Sequence, residues 1–440
     1  MSSRMWTIRA LLASAALAST LAQGQTLRFG LAEDPDILDP TLARTFVGRI
    51  VFAALCDKLA DIDENLNIVP QLATSYQWSP DNKALTLKLR QGVTFHDGEK
   101  FDAAAVKYNI ERHKNMAGSN RRGELAPVSS VDVIDAATVR LNLTAPFSPL
   151  LAQLADRAGM MVSPKAAQAE GDKFGAKPVC SGPFRFVERV AQDRITLERY
   201  PNYWNKGEIH FDKIVYLPIV DATVRLANLK SGQLDFIERV GTSDITGLKT
   251  DNRFKISRIT EIGYQGITIN VGKSELAQKN PLGKDPRVRE AFELALDRDG
   301  IAQVVQSMVK EAGFDVKIQS TEFATSLNMA DKGDFEAYVL AWSGRADPDG
   351  NIFSFAACKQ PLNYSGFCKQ EVDDLLTRSR TTLDPAERKK IYGEIAAILL
   401  KDRPDIYLFH RHWLWAYTNK LSGLRTIPDG LVRVQGLKMN

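Results

Sequence analysis

The residues that bear most directly on chemistry lie in one run, Trp342-Ser343-Gly344-Arg345-Ala346-Asp347-Pro348-Asp349-Gly350-Asn351, which follows the apolar stretch Tyr338 to Ala341. A strand that ends near a glycine and opens into a polar loop lets the backbone approach a ligand closely. There Trp342 offers an apolar wall, and Arg345 a planar donor fork able to hold a carboxylate through two parallel bonds. Asp347 can take a ligand ammonium or pair with Arg345. In the second case the loop is a solvated turn with an internal bridge, and the segment by itself supports both readings equally.

Other constellations carry less. His96, Asp97 and Glu99 have the types of a metal cluster, but Asp97-Gly98 is a hairpin turn that sends the acids to solvent. His410 and His412 share one face of an expected strand, where Phe409, Trp413 and Trp415 favour a packed, neutral pair over a metal site. Tyr203-Trp204 follows Pro201-Asn202 and reads as core aromatics closing a turn. The chain lacks G-x-S-x-G, G-x-G-x-x-G, Walker and H-E-x-x-H patterns. A carboxylate-based hydrolase needs only two acids brought together, which 53 acidic residues leave open. No cofactor or metal is expected, because five histidines and four cysteines are scattered too widely for paired zinc spacings.

These residues sit in a chain of 440 residues with 57 basic and 53 acidic side chains, a net charge of +4. So even a balance gives no support to a nucleic-acid or membrane-surface partner. The length suggests two or three domains. Arg4 and Arg9 precede a small and apolar stretch from Ala10 to Ala22, the layout of a secretory signal peptide over 1–24. With no cysteine near that boundary, no lipid anchor is expected. Export puts the cysteines in an oxidising space. Cys358 and Cys368 enclose a polar loop of turn formers and are expected to bridge, whereas Cys56, among Phe52 to Leu55, reads as a small buried hydrophobe.

Alternation predicts strands around Leu85 to Leu89 and Val139 to Leu143, with a turn and hairpin reaching residue 101. Phe184 and Phe186 against Ile195 and Leu197 suggest an antiparallel pair. Helices are predicted after Asp102, after Asp285-Pro286 and after Asp384-Pro385, the last closed by Arg403-Pro404. The apolar stripe Ile391, Ile395, Ile398 and Leu399 is core packing. Mixed in this way over the whole length, the elements argue an α/β architecture of two lobes.

Several separated stretches carry a further likeness. They are Asp36-Ile37-Leu38-Asp39-Pro40, Ile68-Val69-Pro70-Gln71-Leu72-Ala73 with Ser79-Pro80-Asp81, Leu87 through Gly98, Ser181-Gly182-Pro183-Phe184 and Asn202-Tyr203-Trp204. Later come Ser231-Gly232-Gln233-Leu234-Asp235, Asp285-Pro286-Arg287-Val288-Arg289, the Trp342 loop and Glu371-Val372-Asp373. In these the chain resembles the peptide- and nickel-type periplasmic solute-binding proteins of ABC importers, which include dipeptide-, oligopeptide- and glutathione-binding members.

The resemblance implies a two-lobed clamp of the type II-like, large peptide-binder kind. A first lobe over 25–265 would hold an inserted subdomain at about 45–165, a second lobe would span 266–408, and 409–440 would return to the first. Hinges fall near Tyr264 to Asn270 and near Tyr407 to His410. The family's Trp-x-Gly loop lies in the cleft, which makes Trp342 a wall of the site. Peptide-binding relatives commonly place an acid just after it for the ligand's amino terminus, but Arg345 stands there, favouring a ligand with a negative group.

Glu33, at the end of the first strand, and Tyr264, near the hinge, complete the expected ligand set. Asp297-Arg298 and Ile301 run almost directly into Gln303, so the second lobe is expected to be shortened near 301–303. Val316 to Ile318 still alternates into a strand. The function implied is a soluble, monomeric periplasmic receptor, without catalysis, that captures a peptide or similar small solute for the transmembrane subunits of an ABC permease. A secreted carboxylate-based hydrolase and an inactive truncated receptor remnant are the alternatives.

Overall fold

The structure is a computed structural model and describes residues 25–296, 302–321 and 323–440. The signal-peptide segment 1–24 and the junction at 297–301 lie outside the described residues. The chain opens with β1 (Thr26–Leu31), whose Leu27, Phe29 and Leu31 are buried. Helix α1 (Phe46–Leu55) follows, started by Thr45, whose hydroxyl accepts from Gly48 N. α1 is buried along nearly all of its length and packs into the core around β1.

An inserted piece comes next. It contains β2 (Ala73–Trp78), β3 (Ala84–Leu89), α2 (Ala103–Asn115), β4 (Val128–Asp135) and β5 (Thr138–Leu143). Its antiparallel sheet has the order β2-β3-β5-β4. One face of β3 and β5, carrying Leu85, Leu87, Leu89, Val139, Leu141 and Leu143, is buried against α2. Asp102 caps α2 by accepting from Ala105 N. This second core runs from Leu59 to Met161, so α1, placed in the insertion by the reading of 45–165, lies in the first lobe's own core instead.

The chain then completes the large sheet. β6 (Phe184–Val190) and β7 (Arg194–Arg199) form the antiparallel pair, and β8 (Lys213–Pro218) and β9 (Phe236–Glu238) flank β1 in parallel. With β10 (Phe254–Thr260) the first lobe reaches its crossover.

In the second lobe, β11 (Tyr264–Ile269) is the middle strand of a three-stranded sheet. Helices α3 (Pro286–Leu294), α4 (Ala302–Glu311) and α5 (Phe323–Lys332) lead to β12 (Ala337–Trp342). α6 (Asp349–Ala356), α7 (Gln370–Thr381) and α8 (Pro385–Asp402) follow. Asp384 caps α8 through Glu387 N, and Arg403 closes it in the left-handed region at φ 51°. β13 (Asp405–Phe409) completes the order β12-β11-β13, all antiparallel. Val316 to Ile318 is irregular rather than a strand. Its neighbours are mostly exposed, and alternation without a partner strand leaves backbone groups to water.

β14 (His412–Thr418) then returns to the first lobe, between β10 and β9, giving the sheet order β10-β14-β9-β1-β8-β7-β6. The two crossovers are therefore 261–263 and 410–411. Residues Tyr264 to Ile269, assigned to the first hinge from sequence, form the central strand of the second lobe. The two crossing segments are tied together: Glu261 N donates to Arg411 O, and Arg411 holds the buried Glu261 carboxylate at 3.0 and 3.1 Å. His410 lies in this ribbon with Nδ1 on the Gly263 carbonyl, and exposed His412 begins β14 with Nδ1 3.2 Å from Thr260 Oγ1. The two do not form one aromatic-packed pair.

Both cysteine pairs are bridged. Cys358 joins Cys368 as expected, and Cys56, read as a free buried hydrophobe, joins Cys180, with Cα atoms 4.9 Å apart. Burial and bonding coexist there because the segment before β6 packs on the end of α1.

Candidate functional site

Between the lobes lies a cavity of about 580 Å³. Its first-lobe wall includes Glu33, Arg44, Phe46, Arg239, Arg411 and Trp413, and the inserted piece adds Arg121, Glu124 and Arg157. Its second-lobe wall includes Leu340, Trp342, Arg345, Asp349, Phe355, Tyr364 and Arg380. On the first-lobe side Phe46 and Trp413 stack at 4.3 Å, with Arg239 over the Phe46 ring and Arg411 over Trp413. Apolar walls with placed polar groups are the usual make-up of a small-molecule site, and here many of the polar groups are basic.

Trp342 ends β12 and lines the cavity, its ring edge-on to Phe355 at 4.7 Å. Its Nε1 donates to Asn351 Oδ1 at 2.9 Å, and the same oxygen accepts from Arg345 N at 2.7 Å. Asn351 Nδ2 returns a bond to Arg345 O, so this one amide sets the loop. Gly344 has φ +76°, and a side chain there would meet the backbone of Ile262 at 2.5 Å. The loop is thereby pressed directly against the first crossover.

Arg345 lies over the Trp342 ring at 4.3 Å, and its side chain is 10% exposed. Its Nε pairs with Asp156 of the inserted piece at 2.7 Å, so the bond spans the cleft. Burial, and then the nearby Arg49, push the Arg345 guanidinium down to about 10. Asp156 also meets Arg49 at 3.0 Å. Burial would raise its carboxyl, but Arg345, Arg49 and Arg157 outweigh this and hold it well below the usual range.

Asp347 is not the partner of Arg345. Both its oxygens accept from Arg388 of α8, at 2.7 and 2.8 Å, and it does not line the cavity. Glu33 does line it, 3.5 Å from Arg239, with burial raising its carboxyl. Tyr264 pairs in register with Trp342 and lines a smaller, adjoining cavity with Thr268, Phe355 and Asp405, its ring 4.8 Å from Tyr407. The carboxyl of Asp405 there is raised to about 6 by burial.

Arg121, Arg157, Asp156 and Arg380 did not stand out in the sequence. Arg157 follows Asp156 after a short helix, and Arg121 lies in a polar loop, so no local pattern marks either as facing the Trp342 loop. Arg380 holds Asp349 at 2.6 and 3.0 Å with its guanidinium over Phe353. The two other local candidates are structural. His96 donates from Nε2 to Gly182 O and accepts at Nδ1 from Cys180 N. Tyr203 and Trp204 both donate to the buried Asp57 carboxylate. Among the described residues there is no cluster of three or more side chains suited to a metal, and no helix long and apolar enough to cross a membrane.

Comparison with known proteins adds to this geometry. The family model described as bacterial extracellular solute-binding proteins, family 5 Middle, matches residues 67–305 and 299–363. The glutathione-binding protein GsiB of Pectobacterium atrosepticum is 25% identical over 504 aligned residues, covering 97% of this chain and 97% of the relative. That alignment is longer than the 440-residue chain, so the relative has stretches with no counterpart here. Among solved structures, the PBP AgaA of A. tumefaciens R10 in complex with agropinic acid is 26% identical with a TM-score of 0.82, over 94% of this chain and 99% of that one. The murein tripeptide binding protein MppA of Escherichia coli shares the fold at a TM-score of 0.86 and 19% identity, over 95% and 99% of the two chains.

Proposed function

This chain belongs to the bacterial extracellular solute-binding proteins, family 5, and from that premise we propose that it is the periplasmic receptor of an ABC importer, capturing a peptide or peptide-like small solute for the membrane permease. The observation that carries the reading is the 580 Å³ cavity, walled by both lobes, beside two short crossovers. A ligand touching both walls gains its full contacts only when the lobes are shut. Binding therefore shifts the population toward the closed form, which the permease distinguishes from the open one. The cavity volume suits a tripeptide or an opine better than a long peptide. Glutathione and agropinic acid, the ligands named for two relatives, are of that size.

Export to the periplasm is supported by the leader pattern at Arg4 to Ala22 and by the two disulfides, which persist in oxidising compartments. In this reading the receptor acts as a monomer. A hydrolytic role has no support in the cavity: its acids Glu33, Glu124 and Asp349 are each engaged by an arginine, which suits neither a nucleophile nor a general acid. Calorimetric titration with dipeptides, glutathione and agropinic acid, followed by mass spectrometry of the recovered ligand, tests the proposal. Saturable one-to-one binding with the ligand returned unchanged is expected. Turnover of the ligand, or no binding across the panel, would end the reading.

A further inference from the structure

We propose that the solute taken by this cleft is a small dianion, carrying two acid groups of the carboxylate type, seated on Arg121, Arg157 and Arg345 with Lys359 at the rim. The inference rests on the receptor reading above and narrows its ligand.

Nine basic side chains line the cavity against three acids. The excess is concentrated where the lobes meet. Among the described residues Arg49, Arg121, Arg157 and Arg345 share Asp156 and Glu124, so the cluster carries a net excess of two positive charges. Arg121 and Arg157 converge on one acceptor, the Ala43 carbonyl. These two arginines are 4% and 2% exposed, and the Nε of each has no hydrogen-bond partner. A buried guanidinium with an unmet donor is costly unless an acceptor arrives, and a carboxylate is the acceptor its fork fits. Burial and the neighbouring Arg121 lower the Arg157 guanidinium well below its ordinary value, as a cluster short of negative charge would. Lys359, exposed at the cavity edge, has no carboxylate partner among the described residues.

The same census argues against recognition of a ligand ammonium. Asp349 is clasped by Arg380, Glu124 by Arg121 and Glu33 by Arg239, while Asp347 is turned away onto Arg388. Among the described residues each acid lining the cavity is paired with an arginine, although one oxygen of Glu124, Oε2, has no hydrogen-bond partner.

The test is fluorescence and calorimetric titration of the intact protein with glutarate and with glutathione, each carrying two carboxylates, against glutathione diethyl ester and zwitterionic Ala-Ala, at two salt concentrations. Glutarate is expected to bind, and glutathione less tightly because its ammonium meets no free acid, both more weakly at high salt, with the diester at least about tenfold weaker than glutathione. Arg345→Gln and the rim variant Lys359→Ala should each weaken diacid binding by about tenfold; the exposed position of Lys359 keeps the second variant folded. If Ala-Ala or the diester binds as tightly as the diacids, or if both variants bind diacids like the parent, the dianion inference is overturned and the receptor reading stands. If no probe of either kind binds, both fall.

Discussion

His113 illustrates how a single side chain can be tuned for structure rather than chemistry. It is fully buried on α2, donates from Nε2 to Met160 O, and accepts at Nδ1 from the Thr41 hydroxyl at 2.9 Å. Burial, partly opposed by the Met160 bond, lowers its pKa to about 4. The unfolded chain binds the proton near pH 6.5 and the folded chain only near 4. The stability this neutral imidazole contributes is thus complete above pH 6.5 and lost as pH falls toward 4, by on the order of 3 kcal/mol. Asp57 works in the opposite direction, since burial raises its carboxyl to about 7 and its contribution is lost as pH rises from about 4 to 7. The whole-protein profile mixes the two, so the comparison to make is with His113→Gln. The stability advantage of the parent over this variant should shrink steadily between pH 7.5 and 4.5 in urea titrations. A gap that stays constant would mean that His113 takes up its proton at the same pH in the folded and unfolded chain.

At the level of elements, the two disulfides differ in what they restrain. Cys56–Cys180 closes 124 residues and joins the end of α1 to the segment before β6, whereas Cys358–Cys368 closes 10. If restriction of the unfolded chain dominates, removing the first should cost about 4 to 5 kcal/mol and the second roughly 3. Paired Cys→Ser variants compared by denaturant unfolding check the order; equal losses would show that local packing sets the values instead. The same contrast explains what was legible in the sequence. The 358–368 loop, the caps at Asp102, Asp285 and Asp384, and the Arg403 stop are local, and each reads from a few neighbours. Cys56 amid apolar residues gives no hint of Cys180. At Val316 to Ile318, alternation reports half-burial but not whether a partner strand exists. In the site, Trp342 and Arg345 were legible because a strand end and a loop mark them. Asp156 and Arg157 come from a distant piece of chain, and the partner of Asp347, Arg388, lies 41 residues away from it.

The molecule as a whole is two bodies that touch across a charged seam. Besides Arg345–Asp156, the seam carries Arg44–Asp331 at 3.1 Å and a bond from Arg49 to Ser343. Arg44 and Asp331 are partly exposed, so their pair is worth no more than about 1 kcal/mol. Asp331→Ala should therefore weaken a bound solute by at most about fivefold, with the change in its release rate. A loss of a hundredfold would place this surface pair at the centre of closure. The return of the chain has a different consequence. β14, at residues 412–418, sits inside the first lobe's sheet between β10 and β9, and is made only after the entire second lobe. Until β14 is made, the edge strand β10 has no neighbour in that sheet and β9 shows an open edge, so the large sheet is finished only after the second lobe has been synthesised.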